Sequence, residues 1–176
     1  MTNIMIDLET LGTSTNAVIV SIGAVRFNKS GLKEDFYSVC YKQQPTREMD
    51  LNCIKWWMDQ SDQARDVFNN KEQKVITLKE ALVDLKDFVT REDAVWANGV
   101  LFDIGILENA YKSEKIHSPW TYGKVRCLRS IKAIYPEEYE KTMEKFRKNA
   151  SHNALDDTKC QALALISLSN SHGFTL

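Results

Sequence analysis

Two runs decide how this chain folds: Ile4-Met5-Ile6-Asp7-Leu8-Glu9-Thr10-Leu11-Gly12-Thr13, then Val18-Ile19-Val20-Ser21-Ile22-Gly23-Ala24-Val25-Arg26-Phe27. Both are rich in β-branched residues and alternate or saturate in apolar side chains, which predicts strands at Ile4–Leu8 and Val18–Phe27. The Gly, Thr and Ser residues of Gly12 to Asn16 supply the connecting turn. After Asn28-Lys29-Ser30-Gly31, a third strand is expected at Phe36–Tyr41, so the chain opens as a three-stranded antiparallel meander. Helical patterns follow at Met49–Met58, Asp62–Phe68 and Thr77–Val89. In the last, Leu78, Ala81, Leu82, Leu85, Phe88 and Val89 form one apolar stripe, with Thr77 and Glu80 in capping-box spacing. A short strand at Ala94–Ala97 leads into a helix from about Leu101 to Lys112. Further helices are expected near Cys127–Tyr135, from Pro136 to about Lys148, and from near Asp156 to just before Gly173. Strands first and alternating helices later predict an α/β fold: a mixed sheet with antiparallel first three strands, flanked by helices.

Composition narrows the class. The chain has 176 residues, 43% hydrophobic and 27% charged, which suits one globular domain and predicts a single unit over 1–176. Seven Gly and three Pro are too few for a linker-rich chain. Cys40, Cys53, Cys127 and Cys160 form no close pair, so neither a zinc site nor a disulfide framework is expected. No apolar run approaches a signal sequence or a membrane span, and the expected location is the reducing cytoplasm. The net charge of −1 disfavours a passive nucleic-acid coat, which would be basic. It does suit an enzyme in which a carboxylate cluster offsets a local basic face. That face would lie between Lys112 and Lys148, where Lys124, Arg126, Arg129, Lys132, Lys145, Arg147 and Lys148 stand. The plainer reading of each is a solvated helical surface. Four tryptophans and long helices leave a homodimer and a monomer equally open.

Three places carry chemistry. Asp7 and Glu9 fall on the same face of the first strand, because side chains alternate with period two. Two acids there are costly to bury unless a cation lies between them, and a divalent ion with oxygen ligands meets that need. An end of the strand open to solvent would meet it as well. Asp103 follows Asn98-Gly99 in the first turn of a helix, a position that the helix dipole favours in any protein. His152, in the loop before the last helix, precedes Asp156 and Asp157. His117 and His172 have no comparable company and are read as structural or surface residues.

Taken together, D-x-E on the first strand, an Asp after N-G-x-x-F, and H-x-x-x-x-D at the last helix resemble the DEDD exonuclease superfamily in its histidine-bearing DEDDh branch. The stretches I-D-L-E-T-L-G-T, S-I-G-A-V, W-W-M-D-Q-S-D-Q-A-R, V-W-A-N-G-V-L-F-D and H-N-A-L-D-D are similar to the phage and bacterial exonuclease VIII-like subgroup. The likeness runs over nearly the whole chain. It implies an RNase H-like fold and a 3'-5' exonuclease that releases nucleoside 5'-monophosphates from single-stranded DNA or RNA 3' ends, with DNA slightly favoured. It also implies two divalent ions, Mg²⁺ or Mn²⁺, held by Asp7, Glu9, Asp103 and Asp157, with His152 as general base. Two such ions roughly 3.5–4 Å apart suit an in-line phosphoryl displacement. Thr10, Leu11, Asn98 and Phe102 would border the terminal nucleotide. Trp56 and Trp57 would stack on a base or, as is commoner for paired helical tryptophans, pack in the core. The H-x-x-x-x-D spacing selects Asp157 over Asp156, and Asp156 reads as the helix N-cap.

Two other classes fit parts of the pattern. D-x-E-T at a strand end superficially resembles the nucleophile motif of haloacid-dehalogenase-like phosphatases, but Glu9 stands where that family needs aspartate, and His152 would have no role. A binding module that had lost its chemistry would lack an acid or the histidine, and none is missing.

Overall fold

The computed structural model describes residues 2–147 and 152–176. Lys148, the last of the basic residues named above, lies outside the described residues. Strands β1 (Asn3–Thr10), β2 (Ile19–Asn28) and β3 (Gly31–Val39) form the expected antiparallel meander. Strand β4 (Ala94–Ala97) joins β1 in parallel, and β5 (Val125–Cys127) joins β4 in parallel. The sheet order is β3-β2-β1-β4-β5, which puts the acid-bearing strand at the centre.

The helices are α1 (Leu51–Met58), α2 (Asp62–Asn69), α3 (Leu78–Phe88), α4 (Asp103–Ser113), α5 (Leu128–Ile134), α6 (Pro136–Phe146) and α7 (Ala154–His172). Pleat alternation along β1 sorts its side chains onto two cores. Ile4, Ile6 and Leu8 share one core with Leu82 and Leu85 of α3 and Ile106 and Leu107 of α4. Met5 faces the other way, into a core with Val25, Phe27, Trp96 and the α7 residues Ala162, Leu165 and Leu168. Asp7 and Glu9 follow Met5 on that second face by the same alternation. The buried indole of Trp96 donates to Asn3 Oδ1 at 2.9 Å, so this core leaves neither group unpaired.

Local rules account for most helix ends. Thr77 and Glu80 make the reciprocal capping box of α3: the Glu80 N–H donates to Thr77 Oγ1 at 3.2 Å, and the Thr77 N–H to Glu80 Oε2 at 2.8 Å. Pro136 begins α6, and Gly173 ends α7 in the left-handed conformation, with φ 73°. Three expectations need correction. β5 was not expected: it ends at Cys127, where the expected helix begins, and a three-residue strand is too short to show a period. Strand β3 begins at Gly31 and ends at Val39, so its polar first half, Lys33-Glu34-Asp35, belongs to the sheet although exposed. The N-cap of α7 is Asn153, not Asp156: its Oδ1 accepts from the N–H groups of Leu155 and Asp156 at 3.0 and 3.2 Å. Asn and Asp cap equally well, so type alone could not choose between them.

Candidate active site

At the C-terminal end of β1 the sheet opens into a cleft of about 410 Å³. Asp7, Glu9, Asn98, His152 and Asp157 line it, brought together from β1, the turn after β4 and the start of α7. Arg147, Leu8 and Gln161 complete the wall. Asp103 stands behind, 4% exposed, at the first residue of α4. Its two oxygens accept from the backbone N–H of Leu8 and of Gly99, both at 3.3 Å, which ties the α4 end to β1. A ligating atom from each of Glu9, His152 and Asp157 lies within 4.8 Å of the other two.

The approach of α7 to the sheet depends on one missing side chain. Gly23 is the cross-strand partner of Asp7. A Cβ there would overlap the Ala154 carbonyl group and come 2.5 Å from the Leu155 nitrogen. The first turn of α7 therefore rests directly on β2, which carries Asp157 and His152 to the acids of β1. Glycine inside a strand is the sequence sign of such an approach, and its meaning could have been read from S-I-G-A-V. His152 has φ 48°, a left-handed conformation uncommon for a side-chain-bearing residue.

Burial and mutual repulsion dominate the electrostatics. Burial pushes the Asp7 carboxyl well above its ordinary range, Asp103 adds to this, and a 3.0 Å hydrogen bond from Gln161 Nε2 opposes it. Glu9 is raised to about 9 by burial and then by Asp7, Asp157 and Asp103. Burial lifts Asp103 to about 6 against the two backbone donors. Asp157 is also raised by burial, with Arg147 and His152 opposing. Without a counter-charge each of these groups holds its proton to a higher pH than an exposed carboxyl does. The donors are hard oxygens in excess of nearby positive charge, and among the described residues Gln161 Oε1 is buried with no partner. This donor set fits a divalent cation.

The tryptophans divide. Trp57 is buried, and its Nε1 donates to the Thr10 carbonyl at 2.8 Å, bracing the end of β1. Trp56 is 42% exposed and stands edge-on to the His152 ring, with centroids 4.9 Å apart. The Thr10 hydroxyl donates to the Gly12 carbonyl at 2.7 Å, and Leu11 packs beside the Trp57 cluster. Phe102 lies half-buried against the α3–α4 core. Thr10, Leu11 and Phe102 thus support the cleft from outside its lining, whereas Asn98 is part of it. Gln161 carried no motif, and its role becomes visible only in three dimensions. His172 pairs with Glu138 and stacks on Tyr135, and His117 is exposed.

Comparisons with known proteins bear on the fold and the family. No curated protein matches the sequence. Among solved structures, the nuclease domain of 3'hExo, a DEDDh family member bound to rAMP, superposes with TM-score 0.64 at 14% identity, covering 97% of this chain and 92% of that one. S. pombe Pop2p in its Mg²⁺ and Mn²⁺ bound form gives 0.68 at 12% identity, over 97% and 83% of the two chains. The metal-free E. coli ExoI–ssDNA complex gives 0.67 at 15%, over 97% of this chain and 40% of that one. These likenesses establish the RNase H-like fold. The family model of the 3'-5' exoribonuclease Rv2179c-like domain matches residues 2–168. With that match over nearly its whole length, the chain belongs to the Rv2179c-like family and is a 3'-5' exonuclease.

Proposed function

We propose that the cleft removes nucleotides one at a time from single-stranded RNA 3' ends, releasing nucleoside 5'-monophosphates. The observation that carries this is the convergence of four carboxylates and one histidine, from three distant parts of the sequence, at the C-terminal end of β1. The family description favours RNA over the DNA implied by the exonuclease VIII-like resemblance, and none of these likenesses speaks for a phage origin.

In this reading Asp7, Glu9, Asp103 and Asp157 hold the divalent ions, Mg²⁺ or Mn²⁺. Bound there, two such ions would stabilise charge on the attacking and leaving oxygens. The remaining work belongs to the chain. His152 faces the carboxylates and accepts a proton from the attacking water, a task usually worth about 10²–10⁴-fold in rate. As the new bond to phosphorus forms, the bond from phosphorus to the 3' oxygen of the preceding nucleotide breaks. That oxygen ends as the 3' hydroxyl of the shortened strand. Asn98 borders the cleft and is placed to donate to the terminal nucleotide. The hydrogen bond from Gln161 fixes the orientation of Asp7. Leu11 and Phe102 support the cleft from behind its lining, and Thr10 stiffens the turn that carries Leu11.

The test uses matched 5'-labelled RNA and DNA oligonucleotides with Mg²⁺, Mn²⁺ or EDTA, resolved on a sequencing gel beside Asp7→Ala. Shortening from the 3' end, faster on RNA and absent with EDTA and in the variant, is the expected result. Faster shortening of DNA would reverse the substrate assignment. Equal activity in Asp7→Ala would remove the carboxylates from the mechanism.

A further inference from the structure

The acids of the cleft are flanked by two arginines whose guanidinium groups no other described residue engages. Arg26 is held by Asp93, Arg65 by Asp62, Arg47 by the Ala17 carbonyl and Arg126 by the Gly123 and Val125 carbonyls. Arg91 stands in the turn before β4, at the end of the sheet away from the cleft. Arg129 and Arg147 are different. Both are exposed, and among the described residues neither takes part in a salt bridge.

Their positions are specific. Arg147, at the end of α6, lines the cleft with Asp7, His152 and Asp157, and its charge opposes the rise in proton affinity at both aspartates. Arg129, in the first turn of α5, lies over Gly99, where a Cβ would come 3.3 Å from its guanidinium carbon. Gly99 in turn donates its N–H to Asp103, and the Arg129 charge acts on that carboxylate. A guanidinium beside carboxylates that forms no pair with them is free to make a bidentate contact with a phosphate. The opposite side of His152 offers no such partner. There a hollow bounded by Asp62, Asp66 and Asp156 would repel a phosphate.

We infer that Arg147 and Arg129 form a two-point phosphate clamp, with Arg147 on the scissile phosphate and Arg129 on the next phosphate of the strand. This rests on the cleft being the exonuclease centre. The strand then passes along the α5 side of Asp103 and leaves the acidic hollow free of phosphates.

A substrate with one phosphodiester separates the two roles. The p-nitrophenyl ester of uridine 5'-monophosphate carries only the scissile group, whereas an RNA 12-mer carries its neighbours. Arg147→Gln should slow turnover of both by about 10- to 100-fold, the usual worth of a charge-assisted contact. Arg129→Gln should slow the ester far less than the 12-mer, the residual effect coming through its charge on Asp103. On the 12-mer it should raise KM about 10-fold and reduce the dependence of log(kcat/KM) on log[salt] by roughly one unit. Arg147→Lys should recover part of the rate by keeping the charge without the fork. Circular dichroism confirms that each variant is folded. Wild-type rates for Arg147→Gln on both substrates, or equal losses on both for Arg129→Gln, would overturn the clamp. A wild-type protein inert on both substrates would instead overturn the exonuclease reading on which it rests.

Discussion

Gly23 of β2 and Ala154 of α7 touch where a side chain would otherwise stand, and the cleft owes its closure to that contact. Gly23→Ala must push the first turn of α7 off the sheet. Overpacking of this kind costs about 1–3 kcal/mol. The same shift moves Asp157 and His152 away from Asp7 and Glu9. The expected outcome is a lower midpoint in urea together with a loss of activity greater than the stability loss explains. Unchanged activity in a destabilised protein would show that the site tolerates the displacement.

Trp56 and His152 form a second pair to probe. An edge-to-face contact between aromatic rings contributes about 0.5–1.5 kcal/mol, and here it restrains a histidine whose backbone is left-handed. Trp56→Ala should lower kcat about 3- to 10-fold with little change in KM, and Trp56→Phe should restore most of it. A rise in KM instead would place the indole against the substrate base.

The neighbouring acids Asp156 and Asp157 differ in what surrounds them. Asp157 faces the cleft, whereas Asp156 lies on the side of the hollow next to α2. Asp157→Asn should abolish metal-dependent cleavage. Asp156→Asn should leave it within about threefold and change stability by about 0.5 kcal/mol or less, as surface substitutions usually do. Steady-state rates and thermal melts of the two variants read this directly.

Protonation of the cluster makes stability depend on pH in an unusual direction. The folded state raises Glu9 from 4.5 to about 9 and Asp103 from 3.8 to about 6. A carboxyl that binds its proton more tightly when folded stabilises the fold below its ordinary range. That contribution is lost as the pH rises through the folded value. The Tm of the metal-free protein should therefore fall between about pH 5 and pH 9, first through Asp103 and then through Glu9. Glu9→Gln should flatten the fall and raise Tm at pH 8 while removing activity. Mn²⁺ should raise the wild-type Tm more at pH 8 than at pH 5, measured by differential scanning fluorimetry.

Much of this was legible from residue order. The meander follows from β-branched runs and polar turns, and the shared face of Asp7 and Glu9 follows from the pleat alone. The capping box of α3 could be read letter by letter. Other features depend on tertiary contacts that no local pattern reports. Gln161 is one of several polar residues of α7, and only the docking of α7 on β1 brings it to Asp7. Arg129 and Arg147 looked like ordinary surface charge, because sequence does not reveal which cations lack a carboxylate partner. Trp56 and Trp57 are adjacent in the chain, yet successive helical positions point about 100° apart, so one is buried and the other stands against His152.

The docking of α7 over β1 and β2 also sets when the cluster of the cleft can assemble. Asp7 and Glu9 lie some 150 residues before their partners His152, Asp157 and Gln161. Contacts so distant in sequence form late in folding. A chain that lacks the last helix has the residues of the meander but not those that complete the cluster. The fold thus withholds the assembled cluster until α7 has docked on the sheet.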